Sequence, residues 1–348
     1  MKESEIKQLA SHGIFQDKPV HGKVEETHIS WVILTKYHAF KIKKPLKLSF
    51  LDFSSIQRRK HFCRREVSLN SRFTHIYQGV ISIRVLNGKW CMDCEEGKLI
   101  DYAVQMKRLR LARRMNNLLR RRKVNEKNVE SLAGVIASFH EKAKVINLPF
   151  SLVQAKNTFN DVNLIRKFVL EYLGVSFAKI IDRSIQWSNK FLKTHAKRFQ
   201  QRIDLGFKRD VHGDLHSGNI FLYRRPILFD CIEFNDQYRQ IDVLYELAFL
   251  CMDLEGFRQK HLAKIFLSSY TQKFQCFEGV EDYNIFRYFK CLRANVRAKV
   301  HAMGGAQTHD QQKIKQHARE TAKYLTLMET YMESNLQLPS TQILEKNF

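Results

Sequence analysis

The chain has 348 residues, 44% of them hydrophobic and 27% charged, with only 14 Gly and 5 Pro. That composition fits a globular protein with ample core and excludes long low-complexity tracts, and the length allows one large two-lobed unit or two domains. A formal net charge of +24, from 59 Lys+Arg against 35 Asp+Glu, favours contact with phosphates, nucleic acid or anionic surfaces but says nothing about fold.

The first stretch, MKESEIKQLA, carries no apolar signal region, and no apolar run approaches the roughly 18 residues that a membrane helix needs. The expected location is therefore the cytoplasm, with no membrane insertion. THISWVIL (27–34) and HAFKIK (38–43) read as strands. A helix is expected next, with Ser54 or Ser55 as its cap and Ile56, Phe62, Val67, Leu69 and Phe73 at helical spacing. GVISIRVL (79–86) and LIDYAVQM (99–106) read as strands on either side of an Asn87-Gly88 hairpin turn. Just after that turn, Cys91 and Cys94 form a lone CxxC. No second pair completes a zinc site, and seven cysteines do not match a disulfide framework, so the spacing reads as chance rather than metal or redox function.

Residues 107–123, KRLRLARRMNNLLRRRK, hold nine basic residues and no acidic one. Leu111, Met115, Leu118 and Leu119 recur at helical spacing, which gives a helix with one packed face and a solvated cationic face. A nucleic-acid patch is the alternative reading of the same cations. VESLAGVIASFH (129–140) and residues 158–203 are helical in pattern, with a stop at Gly206. The strand-like island at 211–234 follows. Residues 240–253, 257–276, 282–302 and 310–334 then read as helices. The expected fold class is α+β, a two-lobed kinase-like unit with a small β-rich lobe over 1–106 and a mainly helical lobe over 107–348.

The chemistry lies in the island, VHGDLHSGNIFLYRRPILFDCIEF. Asp214 and Asn219 stand on one glycine-broken turn, and Asp230 ends the apolar run PILF. Phosphoryl transfer from a nucleotide needs a carboxylate near the acceptor hydroxyl and oxygen ligands for a magnesium ion that bridges phosphates. A hairpin of IFLY and PILF brings Asn219 near Asp230 and supplies all three groups from adjacent backbone.

HGDLHSGN followed by LFDCIEFND resembles the catalytic and metal-binding motifs of the aminoglycoside phosphotransferase and choline kinase family, a branch of the protein-kinase-like fold. AFKIKKP resembles the strand that carries the phosphate-binding lysine, RREVSLNSRF the helix with its glutamate partner, and IDVLYELAFL the helix after the metal site. The wording is similar to a bacterial subgroup described as aminoglycoside-phosphotransferase-like, some members of which carry a C-terminal P-loop domain; this chain has no GxxxxGK[ST]. The resemblance implies Asp214 as catalytic base, Asn219 and Asp230 as Mg2+ ligands, Lys43 on the α- and β-phosphates of ATP or GTP, and Glu66 as its partner. Lys41 shares a strand face with Lys43 and is the alternative. His212 reads as a buttress of the loop. His216 either approaches the transferring phosphate or lines the pocket. Asp242 reads as a helix cap or brace, and Glu233 assists the metal, lines the substrate site or sits in a turn. The family's glycine-rich loop is absent, which leaves a polar turn near Glu26 to His28 to cover the phosphates.

Eleven residues separate Asp230 from Asp242, too few for the activation segment on which a protein substrate docks. The sequence therefore favours a small-molecule hydroxyl acceptor, neutral or anionic rather than an aminoglycoside, because a +24 chain repels polycations at long range. Arg293 and Arg297, one helical turn apart, either bind an anionic acceptor or lie on a solvated face. Two rivals remain: a catalytically weak nucleotide-binding regulator on the same fold, and a basic nucleic-acid-associated protein using 107–123.

Overall fold

The computed structural model describes residues 1–48 and 51–333. They form two compact units, Met1–Lys144 with Arg209–Ile241, and Val145–Lys208 with the chain from Asp242 onward.

The first unit opens with α1 (Glu3–His12), which the sequence pattern does not announce. The strands that follow are β1 (Ile14–Phe15), β2 (Lys18–Pro19), β3 (Lys23–Glu26), β4 (Ser30–Leu34), β5 (His38–Lys43), β6 (Lys47–Leu48) and β7 (Leu51–Asp52). After α2 (Ile56–Asn70) come β8 (Tyr77–Leu86), β9 (Lys89–Met92) and β10 (Lys98–Lys107). Eight of these strands make one sheet in the order β2-β1-β9-β8-β10-β5-β4-β3. The Asn87-Gly88 turn, with both residues at positive φ (48° and 76°), joins β8 to β9 rather than to β10. The strand β9 is thus an addition to the expected pair, and β10 pairs with the other edge of β8.

Period-2 alternation assigns the two faces of β5. Phe40 and Ile42 enter a cluster with Ile6, Leu9, Trp31, Ile33, Ile81 and Ile83, on the α1 side. Ala39 lies in the other cluster, with Cys63 of α2, Ile76, Tyr77 and Val104. Each fully buried large apolar side chain contributes about 1.5–3 kcal/mol. Lys41 and Lys43 share the parity of Ala39, so the strand aims both ammoniums at α2.

Ser55 caps α2 by accepting a hydrogen bond from the Arg58 amide at 3.2 Å. The buried stripe of α2 is Arg59, Cys63, Glu66 and Asn70, one residue per helical turn, whereas Ile56, Phe62, Val67 and Leu69 are only half-buried. The apolar positions therefore do not mark the inward face of this helix. Arg59 is satisfied by Asp101, at 2.8 and 3.1 Å, and by the Phe53 and Ser54 carbonyls.

The basic run is not one helix. A short 3-10 turn (Leu111–Arg113) precedes α3 (Met115–Arg120), and only Met115 and Leu119 of the expected apolar stripe are buried. Next comes α4 (Glu126–Lys142), capped by Asn125, which buries Val129, Leu132, Ala133, Ile136 and His140. The island supplies β12 (Ile220–Phe221) and β13 (Ile227–Leu228), and it is flanked by β11 (Lys208–Asp210) and β14 (Gln240–Asp242). The hairpin pairs Ile220 with Leu228 and Phe221 with Ile227, so Asn219 enters it and Asp230 leaves it at the same end.

The second unit is helical: α5 (Leu152–Asn160), α6 (Arg166–Tyr172), α7 (Val175–Asp204), α8 (Val243–Gly256), α9 (Lys260–Thr271), α10 (Val280–Ala306) and α11 (Gln311–Glu333). Residue 334, the last of the expected 310–334 helix, lies outside the described residues, as does the C-terminal end of the expected 107–348 lobe. Helix α8 is apolar nearly all round and buried, as a central helix must be. Phe191 and Tyr288 stack at 4.8 Å between α7 and α10. Among the described residues no helix is long and apolar enough to cross a membrane.

Candidate active site

Glu66 is the hub of the first unit. Its Oε1 accepts from Lys41 Nζ at 2.8 Å and its Oε2 from Lys43 Nζ at 2.7 Å. Lys41 continues to Asp230 Oδ1 at 2.5 Å, and Lys43 continues to Glu233. The result is an alternating chain of charges, Asp230–Lys41–Glu66–Lys43–Glu233, drawn from β5, α2 and the loop after the hairpin. The two lysines differ in access. The Lys41 side chain keeps 11% exposure and the Asp230 side chain 40%, whereas those of Lys43 and Glu66 are fully enclosed.

Burial alone raises the Glu66 carboxyl, but the ammoniums of Lys41 and Lys43 outweigh it and hold it at about 2. Burial likewise opposes the charge on Lys41, yet Asp230, Glu66 and Glu233 together hold that ammonium well above the ordinary lysine range. Burial drives the Glu233 carboxyl upward against the pull of Lys43.

The loop 211–219 is built around two histidines. Gly213 sits at φ +85°, and a Cβ there would lie 2.6 Å from the Tyr238 carbonyl, so the turn admits only glycine. His212 is buried; its Nδ1 accepts from the Asp214 amide at 3.3 Å and its Nε2 meets the Phe229 carbonyl at 2.9 Å. One neutral tautomer, with the proton on Nε2, satisfies both bonds and ties the loop to the residue before Asp230. His216 Nδ1 accepts from the Gly218 amide at 3.0 Å, which leaves Nε2 facing Asp214 Oδ2 at 3.5 Å. Asn219 Nδ2 donates to Asp214 Oδ2 at 2.8 Å and to the Asp214 carbonyl at 3.1 Å. The Asp214 carboxylate is thereby oriented while its side chain stays 37% exposed.

Asp230 holds a left-handed backbone, φ 65°, that a non-glycine residue adopts only when its surroundings impose it. Two residues outside the sequence-derived set impose it here. The Asp230 amide donates to the Tyr77 hydroxyl at 3.0 Å, and the Cys231 amide donates to Asn70 Oδ1 at 2.9 Å. Asn70 Nδ2 donates in turn to the Glu66 carbonyl. Asn70 lies four residues after Glu66, a helical spacing that marks a shared face; Tyr77 has no comparable signal. Arg239 braces the far end of the loop against Asp210 at 2.8 and 3.0 Å, and Arg72 reaches the same carboxylate at 2.6 Å.

Asn219 and Asp230 suit a hard divalent cation. Asn219 spends its amide nitrogen on Asp214 and so aims its oxygen away from it, and Asp230 is half-exposed with only one oxygen on Lys41. Among the described residues no group of three or more His, Cys, Asp or Glu is placed to hold a metal alone. Two oxygen ligands completed by phosphates and water are what Mg2+ takes in nucleotide sites. The residues present fit the ion.

Elsewhere in the first unit, the turn between β3 and β4 has no glycine and is closed by Thr27 on the Ser30 amide and carbonyl. Cys91 of β9 and Cys94 just after it lie paired as a disulfide, with Cα atoms 6.0 Å apart, and the other five cysteines are buried and in no disulfide. In the second unit, Asp242 caps α8 through the Leu244 amide at 2.8 Å and binds the buried Arg202 guanidinium at 2.7 and 2.9 Å. Arg293 is 5% exposed and stacks on Tyr245 at 3.7 Å, while Arg297 is half-buried beside His301 and Tyr324. For Arg293 the solvated-face reading is corrected, because the Tyr245 and Phe249 rings of α8 cover it, whereas Arg297 keeps part of its surface exposed.

Comparison with solved structures decides the fold. A choline/ethanolamine kinase family protein from Mesorhizobium loti matches with a TM-score of 0.54 at 12% identity, over 95% of this chain and 94% of its own. The GDP and kanamycin complex of APH(2″)-IIia matches with 0.54 at 15% identity, over 96% and 100%. The chain has the choline kinase and aminoglycoside phosphotransferase fold. A Plasmodium vivax ethanolamine kinase shares this kinase-like fold, with a TM-score of 0.50 at 11% identity over 91% of this chain and 82% of that one. Uncharacterized proteins of Mycobacterium tuberculosis and Mycobacterium bovis are 30% identical over 286 residues, 80% of this chain and 54% of theirs. The chain spans about half the length of these curated relatives. No protein-family model matches it.

Proposed function

We propose that the chain is a magnesium-dependent phosphotransferase that moves the γ-phosphate of ATP or GTP to a hydroxyl of a small molecule in the cytoplasm. The observation that carries this reading is the pairing of Asp214 with Asn219 on one turn, at the same hairpin end that delivers Asp230 to Lys41 and Glu66. Asp214 accepts the proton of the attacking hydroxyl, with Asn219 and the His212-braced loop fixing its orientation. Lys41, the more accessible lysine of the pair, contacts the nucleotide phosphates from its seat between Glu66 and Asp230. Asn219 Oδ1 and Asp230 hold Mg2+, which when bound neutralises charge on the phosphates. His216, with Nδ1 committed to the Gly218 amide, presents Nε2–H toward Asp214 and the incoming phosphate.

The acceptor is small. Between Asp230 and Asp242 lie only a short turn (Asp236–Tyr238), pinned by Arg239 and Arg65, and the three-residue β14, which offer no platform for a peptide. The solved structures that share the fold carry names of choline/ethanolamine and ethanolamine kinases or hold kanamycin. For this chain a neutral or anionic acceptor fits better than a polycation. Asp230, Glu233, Asp236, Asp242 and Glu255 are all engaged by lysines or arginines. The test is nucleotide turnover with Mg2+ across a panel of hydroxylated metabolites and aminoglycosides. Acceptor-dependent ADP or GDP release with a sugar, polyol or sugar phosphate is expected; release with aminoglycosides alone would overturn the acceptor assignment.

A further inference from the structure

Two lysines stand where the nucleotide reading needs one. Lys43 has no exposed side-chain surface, and its ammonium is enclosed on three sides. Glu66 Oε2 accepts one hydrogen bond, Glu233 accepts another, and the Phe53 ring lies beneath at 4.9 Å to its centroid. Carboxylates take two of the three donors of the ammonium, and the Phe53 ring faces it as a cation–π contact, so no exposed surface is left for a phosphate. Lys41, two residues earlier on the same strand face, is the one whose second carboxylate partner, Asp230, is half-exposed.

We infer that Lys43 and Glu233 are positioning residues, a buried clamp that holds the Glu66 carboxylate in register so that Lys41 stays aligned beside Asp230. The inference rests on the phosphotransferase reading. Glu66 is a fork: each oxygen takes one lysine, and its backbone carbonyl takes Asn70 Nδ2. With Lys41 alone, the carboxylate would be free to rotate and to follow Lys41 as Asp230 draws that ammonium toward the phosphates. A second cation on Oε2 removes that freedom. Glu233 then extends the clamp to the loop that carries Asp230, three residues upstream, so β5, α2 and that loop are tied at both lysines. Because every member is buried or nearly so, leaving one unpaired is costly, and the clamp holds as a unit.

The experiment compares the intact chain with Lys41→Met, Glu233→Gln, Glu233→Leu and the charge-balanced double variant Lys43→Met/Glu233→Gln. Readouts are MgATP and MgGTP hydrolysis with water as acceptor, nucleotide binding by calorimetry, and thermal unfolding. Lys41→Met is expected to lower the hydrolysis rate by about a hundredfold or more, as loss of an aligned phosphate contact does. The double variant is expected to raise the nucleotide KM by about tenfold while losing far less of kcat, the signature of a weakened nucleotide contact rather than a lost transition-state one. Glu233→Gln loses the charge but keeps an oxygen for Lys43 and should raise the KM several-fold less than Glu233→Leu, which removes that oxygen and should reproduce the raised KM. That pair of variants decides the matter even if the double variant does not fold. A folded double variant as inactive as Lys41→Met would overturn the clamp, as would Leu and Gln variants that behave alike. A wild type that neither binds nor hydrolyses nucleotide would instead overturn the phosphotransferase reading, and the clamp with it.

Discussion

At the scale of single residues, what matters is which charged group keeps access to solvent. Lys41 and Lys43 are equivalent by strand period, and both reach Glu66, so parity predicts their shared face but cannot rank them. Their difference arises from Phe53 and Glu233, ten and 190 residues further on, which close over Lys43. Glu66 also has a consequence in solution. Its carboxyl is held at about 2 in the fold against an ordinary 4.5. A depressed carboxylate contributes stability that is fully present above its unfolded value and is lost as pH falls through the folded one. Wild type should therefore lose denaturant stability between pH 4.5 and about 2 more steeply than Glu66→Gln, measured as unfolding midpoints across that range. Parallel slopes for the two proteins would show that Glu66 does not titrate between the lysines as described. The motif residues Asp214, Asn219 and Asp230 were legible because their spacing is local. Tyr77 was not, since it meets the Asp230 amide across 153 residues and nothing near it in sequence announces the bond.

At the scale of elements, legibility follows whether packing or polarity decides the buried face. HAFKIK is β5 residue for residue, and Ser55 is the α2 cap. The inward face of α2 was not legible from its apolar residues, because that face carries Arg59, Glu66 and Asn70 to serve Asp101, the two lysines and the Asp230 loop. The basic run likewise broke into a 3-10 turn and a short helix. Arg114 of that run donates to the Gly218 carbonyl and covers Phe229, so one of its cations supports the loop. In the second unit the start of α8 depends on Asp242, which accepts from the Leu244 amide and neutralises the enclosed Arg202. Asp242→Ala removes a cap, worth about 1 kcal/mol, and unpairs a buried guanidinium, worth about 3–5 kcal/mol. Arg202 retains Asp282 at 3.0 Å, which softens the second figure. Chemical denaturation should show a loss of at least about 2 kcal/mol; a variant within 0.5 kcal/mol of wild type would deny the pair any structural role.

At the scale of the molecule, a sheet-bearing unit and a helical unit make up the described chain, and the segment 209–241, which contains the island, belongs to the sheet-bearing one. Local pattern marks the island as strand-like, but which unit it joins depends on contacts such as Arg72 on Asp210 and Tyr77 on Asp230. The net charge of +24 is a property of the exterior, compatible with an interior chain in which acidic groups are consumed one by one. In the proposed reaction Asp214 drives phosphoryl transfer from this arrangement. The most direct test is single-turnover consumption of MgATP and MgGTP by wild type and by Asp214→Asn, which retains the shape of the side chain and an oxygen for Asn219. A fall of about 10²- to 10⁴-fold with nucleotide binding intact is the predicted result; equal rates in the two proteins would contradict it.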